Sequence, residues 1–278
     1  MTGVAKVHHL NCGSFDSAIA GALVTHVLLC ETDAGLVLVD TGIGTADMRS
    51  PWRRLGAGAM TLRPRLKPHE TALHQVQQLG YNSSDVRHIV ATHLDYDHIS
   101  GAHDFPDAIV HVTATELNVA EQRKGMSNKL RYRSHHLPVD MRVKSYDGAG
   151  DALLGFSTVY PIAGLDHIWL VPLRGHTRGH AAVAVRAGRR GWLFHAGDAF
   201  FQSSSITGVS CGQHRRSLRL LESALATEPR RVQTNHDRLR ELAGDPNIGV
   251  EVFCSHDPVA LHEMQSKAVS RIGSKEGR

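Results

Sequence analysis

The sequence predicts an α/β fold in which helices pack outside β-sheets. Three observations carry this reading. Short aliphatic runs recur in both halves of the chain. Helix-period segments stand between them. No linker or low-complexity stretch divides the 278 residues, so one domain spanning 1–278 is expected. Apolar residues make up 41% and aromatics only 5%, so the core must be large and mostly aliphatic.

Residues 36–39 (Leu-Val-Leu-Val) form a short apolar run that stops at Asp40-Thr41-Gly42, which reads as a buried strand ending in a tight turn. Residues 68–79 read as a helix, with Ala72, Leu73, Val76 and Leu79 on one face and Gly80 as its stop. A second strand, 88–92, runs into the cluster His93-Leu94-Asp95-Tyr96-Asp97-His98. A third covers 109–112 and is followed by a helix over about 115–123. The stretch 124–150 is basic and polar without a clean period, and is expected to be an irregular excursion.

Strand signals resume at 168–171, which ends near Gly175-His176, and again at 181–185. The run 191–195 ends at Gly197-Asp198, and 217–227 reads as a helix. A last strand at 250–254 ends at Ser255-His256. Pro258 then suits a helix start, with Val259, Leu261 and Met264 on its apolar face.

The formal charge of +4 is too mild to argue for a nucleic-acid partner. Cys12, Cys30, Cys211 and Cys254 have no close spacing, so neither a zinc knuckle nor a disulfide framework is expected. The early residues lack the basic-then-apolar pattern of a signal peptide, and 19–30 is too short to span a bilayer. A cytoplasmic protein without a membrane partner is the expectation.

Histidine is abundant, 20 in 278. Four expected strands end in metal-binding residue types: the His93 cluster, His176, Asp198 and His256. Imidazole nitrogen and carboxylate oxygen are the donors that zinc, iron and manganese accept. Each residue alone fits a turn or a cap. Their recurrence at successive strand ends points to one metal site.

These segments resemble the metallo-β-lactamase fold hydrolases. The resemblance rests on Asp40-Thr41-Gly42, Thr92-His93-Leu94-Asp95-Tyr96-Asp97-His98, Gly175-His176-Thr177-Arg178-Gly179-His180, Gly197-Asp198 and Ser255-His256-Asp257, and covers most of the chain. It implies a four-layer αβ/βα sandwich with two divalent metal ions at one sheet edge. His93, Asp95 and His176 would hold the first metal, and Asp97, His98 and His256 the second. Asp198 would bridge them. Asp40 would stand behind a ligand imidazole and fix its tautomer, and His180 would be structural.

Asp95 departs from the family pattern, which has histidine there. A harder oxygen donor leaves zinc as the expected metal but brings in iron and manganese. The flavodiiron proteins are similar in having a carboxylate at this point.

The resemblance implies hydrolysis by a metal-bridging hydroxide, with Asp97 relaying a proton. The expected substrate is a small ester, lactone or related acyl compound. The alternatives are a phosphodiesterase or nuclease on the same fold, or a diiron redox protein. The last would need a flavin partner. Family lactonases often carry tyrosine three residues after the bridging aspartate, where this chain has Phe201. Phe201, Arg133 and His136 are expected substrate contacts.

Overall fold

The computed structural model describes residues 4–56, 60, 62–137, 140–207 and 214–273. Its strands form two six-stranded sheets. The first contains β1 (Lys6–Ser17), β2 (Gly21–Thr32), β3 (Gly35–Val39), β4 (Val86–Val90), β5 (Ile109–Thr113) and β6 (Arg142–Tyr146), in that spatial order. β1 to β3 pair antiparallel, and β3 to β6 pair parallel.

The second sheet contains β7 (Asp151–Leu153), β8 (Phe156–Ile162), β9 (Leu165–Pro172), β10 (Ala181–Arg186), β11 (Trp192–His195) and β12 (Val250–Phe253). Its neighbours are antiparallel except β11 and β12, which run parallel.

The α-helices are α1 (Thr45–Arg49), α2 (Pro51–Arg54), α3 (Ala72–Gln78), α4 (Tyr96–Ile99), α5 (Ala114–Gln122), α6 (Gly125–Arg131), α7 (Ser204–Thr207), α8 (His214–Leu225), α9 (Pro229–Gly244) and α10 (Pro258–Gly273). Among the described residues no helix is long and apolar enough to cross a membrane.

Side chains alternate between the faces of a strand, so a strand buried on both faces reads as an unbroken aliphatic run. Leu36 and Leu38 of β3 pack with Val27, Leu29, Ala72 and Val76 on the outer side. Val37 and Val39 point the other way and join Leu28, Ile168, Val183 and Leu193 between the sheets. Beyond the second sheet, Ala182, Ala184 and Phe194 meet Leu239 and Leu242 of α9. The layers therefore run helix, sheet, sheet, helix, as expected.

Several segments differ from the sequence reading. The expected helix at 68–79 is split: a 3₁₀ turn covers Pro68–Glu70, and α3 starts after Thr71, whose hydroxyl caps the His74 N–H. The stretch 124–150, expected to be irregular, carries α6 and β6. β6 lies at the sheet edge with little buried, so Arg142 and Lys144 hide the strand from a hydrophobic reading. β1 went unrecognised because a register shift between Asn11 and Ser14 breaks its alternation.

The topology puts several chain segments at one edge. β11 runs antiparallel to β10, so the end of β11 lies beside the start of β10 and the β9–β10 turn. β12 is parallel to β11 and ends on the same side. Backbone bonds join the two sheets there, from Ala181 N–H to Thr92 O at 2.9 Å and from His26 N–H to Ser255 O at 2.8 Å.

Candidate metal centre

The turn after β3 organises one side of the site. Asp40 has a left-handed φ of 59°, which aspartate tolerates better than bulkier residues. Its carboxylate accepts the Thr92 N–H at 2.7 Å, the Thr92 hydroxyl at 2.8 Å and the His98 Nδ1–H at 2.9 Å. Gly42 also has positive φ, and a Cβ there would overlap Cys12. The Asp-Thr-Gly signature is thus explained: it holds the loop after β4 by a buried carboxylate and permits close backbone contact.

Three imidazoles are held in one tautomer. His98 donates from Nδ1 to Asp40, and His256 donates from Nδ1 to Val24 O at 2.8 Å. The Thr92 hydroxyl donates to Asp40, so its oxygen accepts His93 Nδ1–H at 3.0 Å. Each ring therefore turns its Nε2 toward Asp198. His98 Nε2 is 3.2 Å from Asp198 Oδ1. His256, His176 and His93 Nε2 lie 3.0, 3.4 and 3.9 Å from Oδ2.

Asp198 itself is positioned by His180. That ring donates from Nδ1 to Leu173 O and accepts the Asp198 N–H at Nε2, both at 2.9 Å.

Ring nitrogens gathered round a carboxylate need a cation between them, a proton or a metal ion. His93 Nε2, His98 Nε2 and Asp198 Oδ1 are buried without a hydrogen-bond partner. Burial opposes a charge on His98, but Asp198 and Asp40 outweigh it and hold its pKa well above 6.5. Burial likewise raises the Asp198 carboxyl, yet His256, His98 and His176 outweigh it and keep the group ionised. Two trios offer donor atoms within 4.8 Å of one another: His93, His176 and Asp198, and Asp97, His98 and His256. The donor set fits divalent metal of the zinc type.

Asp95 lies outside both trios. Its Oδ2 is 3.0 Å from His176 Nε2 and 3.3 Å from His93 Nε2, so it borders the first trio. Both its oxygens also accept a bidentate pair from Arg131, at 2.7 and 2.6 Å. Burial raises the Asp95 carboxyl, but Arg131 and His93 hold it well below 3.8. His176 is pushed down to about 4 by burial and by Arg131.

A cavity of about 490 Å³ opens above the trios, lined by Asp95, Asp97, His176, Asp198 and His256 at its floor. Its walls include Phe15, Ile19, Leu23, Leu62, Phe201 and Leu221, together with Arg131 and Arg133. Phe201 and Arg133 thus face the cavity. His136 does not line it, although a substrate contact was expected of it. Its ring is buried and hydrogen-bonds Asp47 Oδ1 at 3.0 Å, because that carboxylate, also held by Arg54, is its nearest polar partner.

One residue of the surrounding structure went unnoticed in the sequence. Glu116, fully buried, accepts the Leu94 N–H, the Tyr132 hydroxyl, the Thr177 hydroxyl and the Gly179 N–H. It ties the His93 loop to the His176 turn, and no local pattern marked it.

The family model of the metallo-beta-lactamase superfamily matches residues 20–245. A "probable metallo-hydrolase" of Mycobacterium tuberculosis is 43% identical over 254 residues, covering 91% of this chain and 80% of that protein. An N-acyl homoserine lactonase of Bacillus thuringiensis is 22% identical, covering 71% of this chain and 74% of its own. A solved N-acyl homoserine lactone hydrolase, with N-hexanoyl-L-homoserine bound at its catalytic metal centre, superposes with a TM-score of 0.68. It is 19% identical and covers 95% of this chain and 97% of that one. The chain is a metallo-hydrolase of the metallo-beta-lactamase superfamily.

Proposed function

We propose that this protein hydrolyses a carboxylic ester or lactone that carries an apolar tail, at a centre built for two divalent metal ions. The observation that carries the reading is the cavity: its floor is a convergent set of histidines and carboxylates, and its wall is largely aliphatic and aromatic. Hydrolytic relatives that act on acyl homoserine lactones support the substrate class at a distant level.

His93, Asp95, His176 and Asp198 would hold one metal, with Asp95 at its border, and Asp97, His98, His256 and Asp198 the other. Zinc is the proposed ion, and Asp95 keeps iron and manganese in play. Divalent metal bound there supplies Lewis acidity and acidified water near neutral pH.

The chain's own groups do the rest. Asp40, Thr92 and the Val24 carbonyl hold three imidazoles with their Nε2 atoms inward. Asp97 lines the cavity with its Oδ2 3.8 Å from His256 Nε2, where a carboxylate can take up and return a proton. Phe15, Phe201 and Leu221 keep water off the acyl chain. Phe201 itself puts no hydroxyl near the reacting carbonyl.

The test is a panel of esters, lactones and phosphodiesters assayed with zinc-, iron- and manganese-loaded protein. Turnover of esters or lactones is expected, with rates rising as the acyl chain lengthens. Turnover confined to phosphodiesters would overturn the substrate class.

A further inference from the structure

The strongest unexplained feature is the guanidinium of Arg131 at the edge of the first trio. It closes α6 and has five N–H groups, all of which are used. Nε and Nη2 donate to the two oxygens of Asp95. The second hydrogen of Nη2 points at His176 Nε2, 2.6 Å away. Nη1 donates to Leu225 O at 2.8 Å and to His176 O at 3.3 Å. A guanidinium with every donor satisfied by protein has none left for a substrate anion.

The atoms it engages matter more than its charge alone. The Nε2 lone pair of His176 is the one a metal would need, and here it accepts a hydrogen bond. The in-plane lone pairs of Asp95 are taken by a fork-shaped partner. The second trio differs. Asp97, His98 and His256 hydrogen-bond no guanidinium among the described residues, and His98 Nε2 stays without a hydrogen-bond partner.

Of the four carboxylates Asp40, Asp95, Asp97 and Asp198, only Asp95 has a guanidinium partner among the described residues, so the region still demands cationic charge. It does so most at Asp198 and the second trio.

We infer that Arg131 is a resident cation of the first site. It competes with metal for Asp95 and His176, so the two metal positions fill in order rather than together. The Asp97, His98 and His256 position fills first and tightly. The His93 and His176 position fills only when the guanidinium is displaced. The inference rests on the two-site reading above. It explains why the carboxylate in place of the usual histidine comes with an arginine: the guanidinium fork engages both oxygens of Asp95.

The test is a titration of metal-free protein with Co²⁺ and with Zn²⁺ against a chromophoric chelator, following the Co²⁺ absorption bands. Wild type is expected to bind in two steps separated by about 100-fold, the scale of two charge-assisted hydrogen bonds. His256→Ala should remove the tight step, and His93→Ala the weak one. Arg131→Met should tighten the weak step by at least about tenfold and leave the tight step in place, with Arg131→Lys between.

Two wild-type steps of equal affinity overturn the inference and leave the two-metal reading standing. So does a weak step unmoved by Arg131→Met. No metal binding at all overturns both. Circular dichroism reports whether Arg131→Met folds, and if it does not, the wild-type titration alone decides.

Discussion

At the residue scale, Asp198 is the point through which the centre is organised. One oxygen faces His98, and the other faces His256, His176 and His93. Asp198→Ala and His98→Ala should each abolish turnover and lower metal content, as read by plasma emission spectrometry on purified protein. Unchanged metal in Asp198→Ala would contradict the bridging role.

Glu222 gives a separate prediction away from the centre. It is buried beneath Phe201 and accepts that residue's N–H at 2.6 Å. Burial pushes its carboxyl up to about 7 from the usual 4.5. The folded protein therefore keeps a proton that the unfolded chain loses near 4.5. The group's contribution to stability is full below that value and is lost as pH rises through 7. Urea unfolding of Glu222→Gln should lack this slope between pH 5 and 8, a difference on the order of 3 kcal/mol at most. Parallel pH profiles for the two proteins would contradict the assignment.

At the scale of elements, the loops that carry the ligands depend on a support outside the centre. Glu116, in the first turn of α5, bonds the His93 loop, the His176 turn and Tyr132 at once. Glu116→Ala leaves several buried donors without an acceptor and should cost at least about 3 kcal/mol in chemical denaturation. A loss near zero would mean that these loops hold themselves.

The same scale shows what was legible in the sequence. β3, β10 and β11 were readable because both faces are buried, which forces aliphatic runs, and β4 and β12 because enough of their residues are apolar to show as strands. His93, His176, Asp198 and His256 were readable because each follows or joins such strands. β1 was lost to its bulge, β6 to its exposed edge, and α9 to a sparse stripe of Val232, His236, Leu239 and Leu242. The pairing of Asp95 with Arg131 crosses 36 positions and follows from where α6 ends in space. No periodicity encodes such a contact. His136 was misread for the same reason, since its partner Asp47 lies 89 positions away.

At the scale of the molecule, two sheets stacked through an aliphatic interior present one edge where the loop after β4, the β9–β10 turn and the ends of β11 and β12 meet. The interior contributes rigidity, and the edge collects the polar groups that a core would exclude. Four carboxylates (Asp40, Asp95, Asp97 and Asp198) and four imidazoles (His93, His98, His176 and His256) at that edge are a costly arrangement for a fold unless cations accompany them. A bound cation would relieve that cost at the edge where the proposed chemistry takes place.

The most direct measurement is anomalous diffraction from crystals of the metal-loaded protein, collected on both sides of the metal absorption edge. The expected result is a strong peak within bonding distance of Asp97, His98, His256 and Asp198. A weaker peak beside His93 and His176 should strengthen when Arg131 is replaced by methionine. A loaded crystal with no peak beside Asp198, or with its metal bound elsewhere, would contradict the centre proposed for this chain.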